Sequence, residues 1–236
     1  MSTPSWLDRP LLGFDTETTG TDVAADRIVT VALVHSVGPG RAHETVATWL
    51  IDPGMDIPEP AQRVHGISTA HAREHGMEPS AALAEVAEML ADALRKDVPI
   101  VAFNGSFDLQ ILENELRRLG LPTLAERLRH DIAPVVDPLV IDRALDRWRK
   151  GKRRLVDLIE LYGVQQDGAL HTADVDVSAT LDVLRALAAK FPEIARADLA
   201  ELHQKQISWH RESAESFNRY LQKQGKTPDA KETWPL

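Results

Sequence analysis

The chain has 236 residues, 43% of them apolar and 27% charged, enough for one ample hydrophobic core or for a domain with an appendage. It holds no cysteine, which excludes a disulfide scaffold, a thiolate zinc site and a cysteine nucleophile. The net charge of −9 argues against a broad, sequence-blind coat on nucleic acid, yet leaves room for carboxylates that hold divalent cations. No apolar run is long enough to cross a bilayer and the N-terminus has no secretory pattern, so no membrane contact and a cytoplasmic location are expected.

In chain order, the apolar run Leu11-Leu12-Gly13-Phe14 ends in Asp15-Thr16-Glu17-Thr18-Thr19-Gly20, and together they read as a strand running into a loop. Residues 27–36 and 44–51 read as two further strands, the latter closed by Asp52-Pro53-Gly54, which predicts an antiparallel meander. Residues 58–76 hold short helical pieces, with Ser68 placed to cap the segment from Thr69, and 79–96 have helical apolar spacing. A short strand over 99–103 is followed by a turn and a helix over 107–119. Val135 and Val136 form a last strand, followed by helices over 138–148, 155–162 and 175–190. Phe191-Pro192 breaks the chain before a polar-decorated helix over 197–224 and an extended tail. Strands first, then helices alternating with single strands, predict an α/β sheet flanked by helices, with residues 1–190 as the main domain and 191–236 as a helical extension. The apolar positions of that last helix, Ile207, Trp209, Phe217 and Tyr220, are assigned to packing on the protein's own core, with partner binding as the alternative.

Asp15 and Glu17 stand two positions apart, so both project from one face of the first strand. Neighbouring carboxylates repel, which shifts their pKa values or recruits a metal. Taken alone, the pair is equally a strand-end turn. Asp108 and Asp176, taken alone, are acidic first-turn residues favoured by the helix macrodipole. His171 lies in a polar loop five residues before Asp176, a setting suited to a mobile base.

Taken in order, Phe14-Asp15-Thr16-Glu17-Thr18-Thr19-Gly20, Phe103-Asn104-Gly105-Ser106-Phe107-Asp108 and His171-Thr172-Ala173-Asp174-Val175-Asp176 resemble the motifs of the DEDDh exonucleases. These are a branch of the ribonuclease H-like superfamily that includes the proofreading epsilon subunits of bacterial DNA polymerase III. The segment Val64-His65-Gly66-Ile67-Ser68 is similar to a family segment that contacts the terminal nucleotide. The likeness spans residues 11–187 and leaves out the C-terminal helix. It implies a ribonuclease H-like, mixed five-stranded sheet and a metal-dependent 3′-to-5′ exonuclease releasing nucleoside monophosphates from single-stranded DNA 3′ ends.

By the same resemblance, Asp15, Glu17, Asp108 and Asp176 hold two Mg²⁺ ions, replaceable by Mn²⁺, and His171 is the general base. Thr18, His65 and Phe107 are expected near the terminal nucleotide. In one departure, epsilon subunits carry an acidic residue five before the histidine of the His-Gly-Ile segment; here Pro60 stands there, with Glu59 one step back. RNA-directed exoribonucleases of the ribonuclease T or oligoribonuclease type carry the same five residues. RNA therefore stands as an alternative substrate, and a DNA polymerase subunit as a further partner. The reading from another class is a non-catalytic polymerase-accessory module.

Overall fold

The computed structural model describes residues 5–39, 41–165 and 172–236. Strands β1 (Pro10–Thr18), β2 (Ile28–Val37) and β3 (Glu44–Leu50) form the antiparallel meander, and the short strands β4 (Ile100–Val101) and β5 (Val135–Val136) join β1 in parallel. The five-stranded order is β3-β2-β1-β4-β5, with β1 at the centre. A β-strand alternates its side chains, so β1 sorts its residues between two layers. Leu12 and Phe14 enter one core with α3 (Pro79–Arg95) and α4 (Gly105–Arg118). Leu11 enters the other with α7 (Leu155–Tyr162) and α8 (Ala173–Lys190). Burial on both faces explains why β1 and β2 read as nearly continuous apolar runs.

Between β3 and α3 lie α1 (Glu59–His65) and α2 (Thr69–His75); Ser68 caps α2, its side chain accepting from the His71 amide. Glu59 is exposed and paired with Arg63. Several elements differ from the sequence reading, among them β4, shortened to Ile100–Val101, and the helix expected from 175, which starts at Ala173. Helix α4 begins at Gly105, because Asn104 takes a left-handed conformation (φ 60°) that turns the chain straight out of β4. An unexpected helix, α5 (Leu124–Leu128), starts from a reciprocal capping box between Thr123 and Glu126. Helix α6 (Pro138–Leu145) stops three residues short of the expected 148. There the Arg153 guanidinium donates to the carbonyls of Asp142 and Asp146 and pairs with buried Asp142, satisfying the helix end from a distance. After Phe191 the chain re-enters a helix at once in α9 (Pro192–Arg196), since proline suits a first helical position.

Helix α10 (Leu199–Lys223) buries Leu202, His203, Gln206, Ala214 and Leu221. It also closes the sheet edge at β5. The Gln206 carboxamide accepts from the Asp137 amide at 2.7 Å and donates to the Val135 carbonyl at 2.9 Å, and His203 Nδ1 accepts from the Val135 amide at 3.2 Å. Side chains thus do for β5 what a sixth strand's backbone would. The tail returns to bury Trp234 beside His203, ring centroids 5.1 Å apart. Ile207 and Trp209 pack on the core as expected of the helix's apolar stripe, whereas Phe217 and Tyr220 face solvent. Among the described residues, no helix is long and apolar enough to cross a membrane.

Candidate active site

The alternation along β1 also sorts its polar end. Gly13, Asp15 and Glu17 share the face turned toward α8, and Thr16 faces α4. At Gly13 a Cβ would stand 2.2 Å from Val177 Cγ1 and 3.3 Å from Leu181 Cδ1, so only glycine lets α8 lie this close to the strand. That approach brings Asp176, in the first turn of α8, into the field of Asp15 and Glu17. From the other layer, Asp108 in the first turn of α4 is tied to β1: its Oδ1 accepts from the Thr16 amide at 3.1 Å and from Thr16 Oγ1 at 2.6 Å.

The four carboxylates therefore converge on the end of β1, from three elements. Burial, then Asp108, Glu17 and Asp176, all push the Asp15 carboxyl well above its ordinary value. Burial, then Asp176 and Asp108, hold Glu17 at about 7. Burial raises Asp108 also, against the opposing Thr16 hydrogen bonds. Such a cluster of like charges in a poorly hydrated place is costly without a counter-cation. Its all-oxygen donors suit hard divalent ions of the Mg²⁺ or Mn²⁺ kind. Among the described residues no three carboxylate or imidazole groups are already closed to metal-binding distance, so the fit rests on the chemistry and mutual repulsion of the donors.

One buried carboxylate at the rear of the site escapes a motif search. Asp137 accepts from the Asn104 and Gly105 amides, each at 3.1 Å, while capping α6 through the Leu139 amide at 2.9 Å. It pins the start of α4 and so the aim of Asp108; burial raises its own pKa to about 6. The signal was an aspartate between a Val-Val strand and a proline, the pattern of a helix cap.

His65 ends α1 and is 8% exposed. Its Nδ1 accepts from the Ile67 amide at 3.1 Å, and its buried Nε2 has no hydrogen-bond partner among the described residues. Burial lowers its pKa, opposed by the Thr18 backbone, which places it beside that strand end. Thr18 Oγ1 donates to the Gly20 carbonyl at 2.6 Å, bracing the loop after Glu17. Phe107 half-buries against the α3–α4 core and lines a cavity at the start of α4. His171 lies outside the described residues.

The exonuclease family, RNase_T, matches residues 12–184, the stretch from β1 through α8. The chain belongs to the exonuclease family. The match agrees with the resemblance that the three motifs carry. This exonuclease-family chain is 31% identical over 171 residues to a DNA polymerase III subunit epsilon-like protein of Rhodobacter capsulatus, covering 72% of this chain and 22% of that one. It is 29% identical over 174 residues to DNA polymerase III subunit epsilon of Rickettsia felis, covering 72% and 69% respectively. In fold it is similar to E. coli exonuclease I in complex with a dA16 oligonucleotide, with TM-score 0.65, 20% identity, and coverage of 86% of this chain and 44% of that one. The exonuclease I of Methylocaldum szegediense is similar at TM-score 0.63, 23% identity, and coverage of 79% and 42%. The chain thus spans less than half the length of these exonuclease I chains, with which it shares the mixed sheet and flanking helices. The exonuclease family is divalent-metal dependent.

Proposed function

We propose that the protein is a metal-dependent 3′-to-5′ exonuclease that releases nucleoside monophosphates from single-stranded DNA 3′ ends. The observation that supports this most is the convergence of buried Asp108 with half-buried Asp15, Glu17 and Asp176 in an exonuclease-family chain. In this reading the four carboxylates hold two Mg²⁺ ions, or Mn²⁺ in their place. When bound, the ions offset the charge of the phosphodiester and of the attacking and leaving oxygens. Thr16 holds one oxygen of Asp108 and leaves the other available as a donor. His171 takes the proton from the attacking water, the part a neutral imidazole plays as a general base. His65, Thr18 and Phe107 steady the terminal nucleotide. Residues 1–190 carry this chemistry and 191–236 form the extension. A cytoplasmic location and a DNA polymerase subunit as partner belong to the same proposal.

The test is a gel assay on end-labelled single-stranded DNA, duplex DNA and RNA with Mg²⁺, Mn²⁺ or EDTA. A ladder shortening from the 3′ end of single-stranded DNA with either metal, and none with EDTA, is expected. Shortening of RNA alone would move the substrate to the ribonuclease alternative. Shortening of nothing, or shortening undiminished by EDTA, overturns the reading. Replacing His171 by alanine is expected to lower kcat about 10²–10⁴-fold with little change in KM, checked by steady-state kinetics on a short oligonucleotide.

A further inference from the structure

Two cavities, of about 540 and 570 Å³, share Arg143, Trp209, Ser213 and Phe217. The larger begins at Asn104, Ser106 and Phe107, the turn that carries Asp108 into the carboxylate cluster. The smaller continues to Arg147, Trp148 and Tyr220. Together they make a groove between α6, with its following turn, and α10, whose far wall lies outside the residues matched by the family.

The lining of this groove is unusual for a surface. Trp148 is 88% exposed, Phe217 51% and Tyr220 55%. The Phe217 and Tyr220 rings lie 6.3 Å apart and within 24° of parallel, and the Arg147 guanidinium stands 5.5 Å from the Trp148 ring centroid. Large rings left in water at one place mark a binding surface. Arg147 meets the Trp148 ring, Arg143 has the Asp137 and Asp142 carboxylates in its field, and Glu212 shares the lining, in a chain of net charge −9. Rings offering flat faces beside guanidinium groups match the bases and phosphates of a single strand. An apolar protein partner would leave the Arg147 cation uncompensated.

Taking the site as that of an exonuclease, we propose that this groove is the track for the single strand upstream of the nucleotide being removed. Trp148, Phe217 and Tyr220 stack on bases, and Arg143 and Arg147 meet phosphates. The experiment uses the full chain, in EDTA, and reads binding of a fluorescent fifteen-residue oligothymidylate by anisotropy. Trp148→Ala and Tyr220→Ala are each expected to weaken binding about 5–100-fold, and Arg147→Ala to flatten the slope of log affinity against log salt by about 0.7. Met89→Ala, an exposed position on α3, serves as the control that keeps wild-type affinity. Thermal melting confirms that each variant is folded. Wild-type affinity in the Trp148→Ala, Tyr220→Ala double variant overturns the track and leaves the groove to a protein partner; so does a wild-type chain that does not bind the strand. Hydrolysis of thymidine 5′-(p-nitrophenyl phosphate) by the wild type with Mg²⁺ probes the exonuclease reading separately. Binding that depends on the groove, with no hydrolysis of ester or strand, would keep the track and discard the nuclease.

Discussion

Asparagine in place of Asp15 or Asp108 is expected to lower strand hydrolysis about 10³-fold or more, through loss of several kcal/mol of charge stabilisation, while raising the melting temperature in EDTA. The two effects have one origin. The carboxylates sit buried at Asp108 and half-buried at Asp15, Glu17 and Asp176, close enough for their charges to raise the pKa values of Asp15 and Glu17, so the empty fold carries their repulsion. Asparagine keeps the shape and, at 108, an oxygen for the Thr16 donors, but removes the charge. Each kcal/mol of repulsion relieved raises the melting point by roughly 2–4 °C for a chain of this size. The advantage is expected to shrink when Mg²⁺ is added, because the wild type then gains by ligand binding what the variant cannot. The pH dependence has a definite sign. Glu17 sits at about 7 against an ordinary 4.5. Between those values the native state keeps a proton that the unfolded chain has released, so stability is greatest below the lower value and is lost as pH rises through about 7. The melting advantage of Glu17→Gln in EDTA is therefore expected to widen from pH 4.5 to 7.5. Calorimetry at fixed ionic strength reads it; an advantage that narrows over this range, or an Asp15→Asn enzyme with full turnover, contradicts the carboxylate assignment.

A chain ended after Ala197 is expected to be insoluble or unfolded. The cut removes α10 and the tail, and with them the burial of Leu202, Leu221 and Trp234. Truncating one such core side chain costs about 2–5 kcal/mol, and a whole domain is stable by only about 5–15 kcal/mol. It also strips the Gln206 and His203 side chains from the amides and carbonyl of β5, leaving a bare sheet edge open to pairing with another chain. The milder variant Gln206→Ala leaves the Asp137 amide and the Val135 carbonyl without this partner and is expected to cost about 1–3 kcal/mol. Far-UV circular dichroism with a thermal melt distinguishes the outcomes: a cut chain that melts cooperatively near the wild-type temperature would make the helix a dispensable appendage.

The legible part of this protein was local. Period-two spacing in β1 and motif spacing gave the strand face of Asp15 and Glu17 and the helix starts of Asp108 and Asp176. The capping box at Thr123 and Glu126 is equally local, three residues apart in the chain. What the sequence hides is long-range. The end of α6 depends on an arginine eight residues beyond it, and the roles of Asp137 and Gln206 depend on which sheet edge α10 comes to cover. The aromatic stripe of α10 likewise divides between core and groove according to where α6 stops giving it a neighbour.

Gly13 reaches beyond its own position. With no side chain between them, α8 rests on the backbone of β1, and the stems of Asp15 and Asp176 inherit their separation from hard contact between helix and strand. Rigid thickness thus acts as a gauge for the cluster: the solvent face of α8 can drift in sequence without altering it, whereas one methyl group at residue 13 would reset it from within.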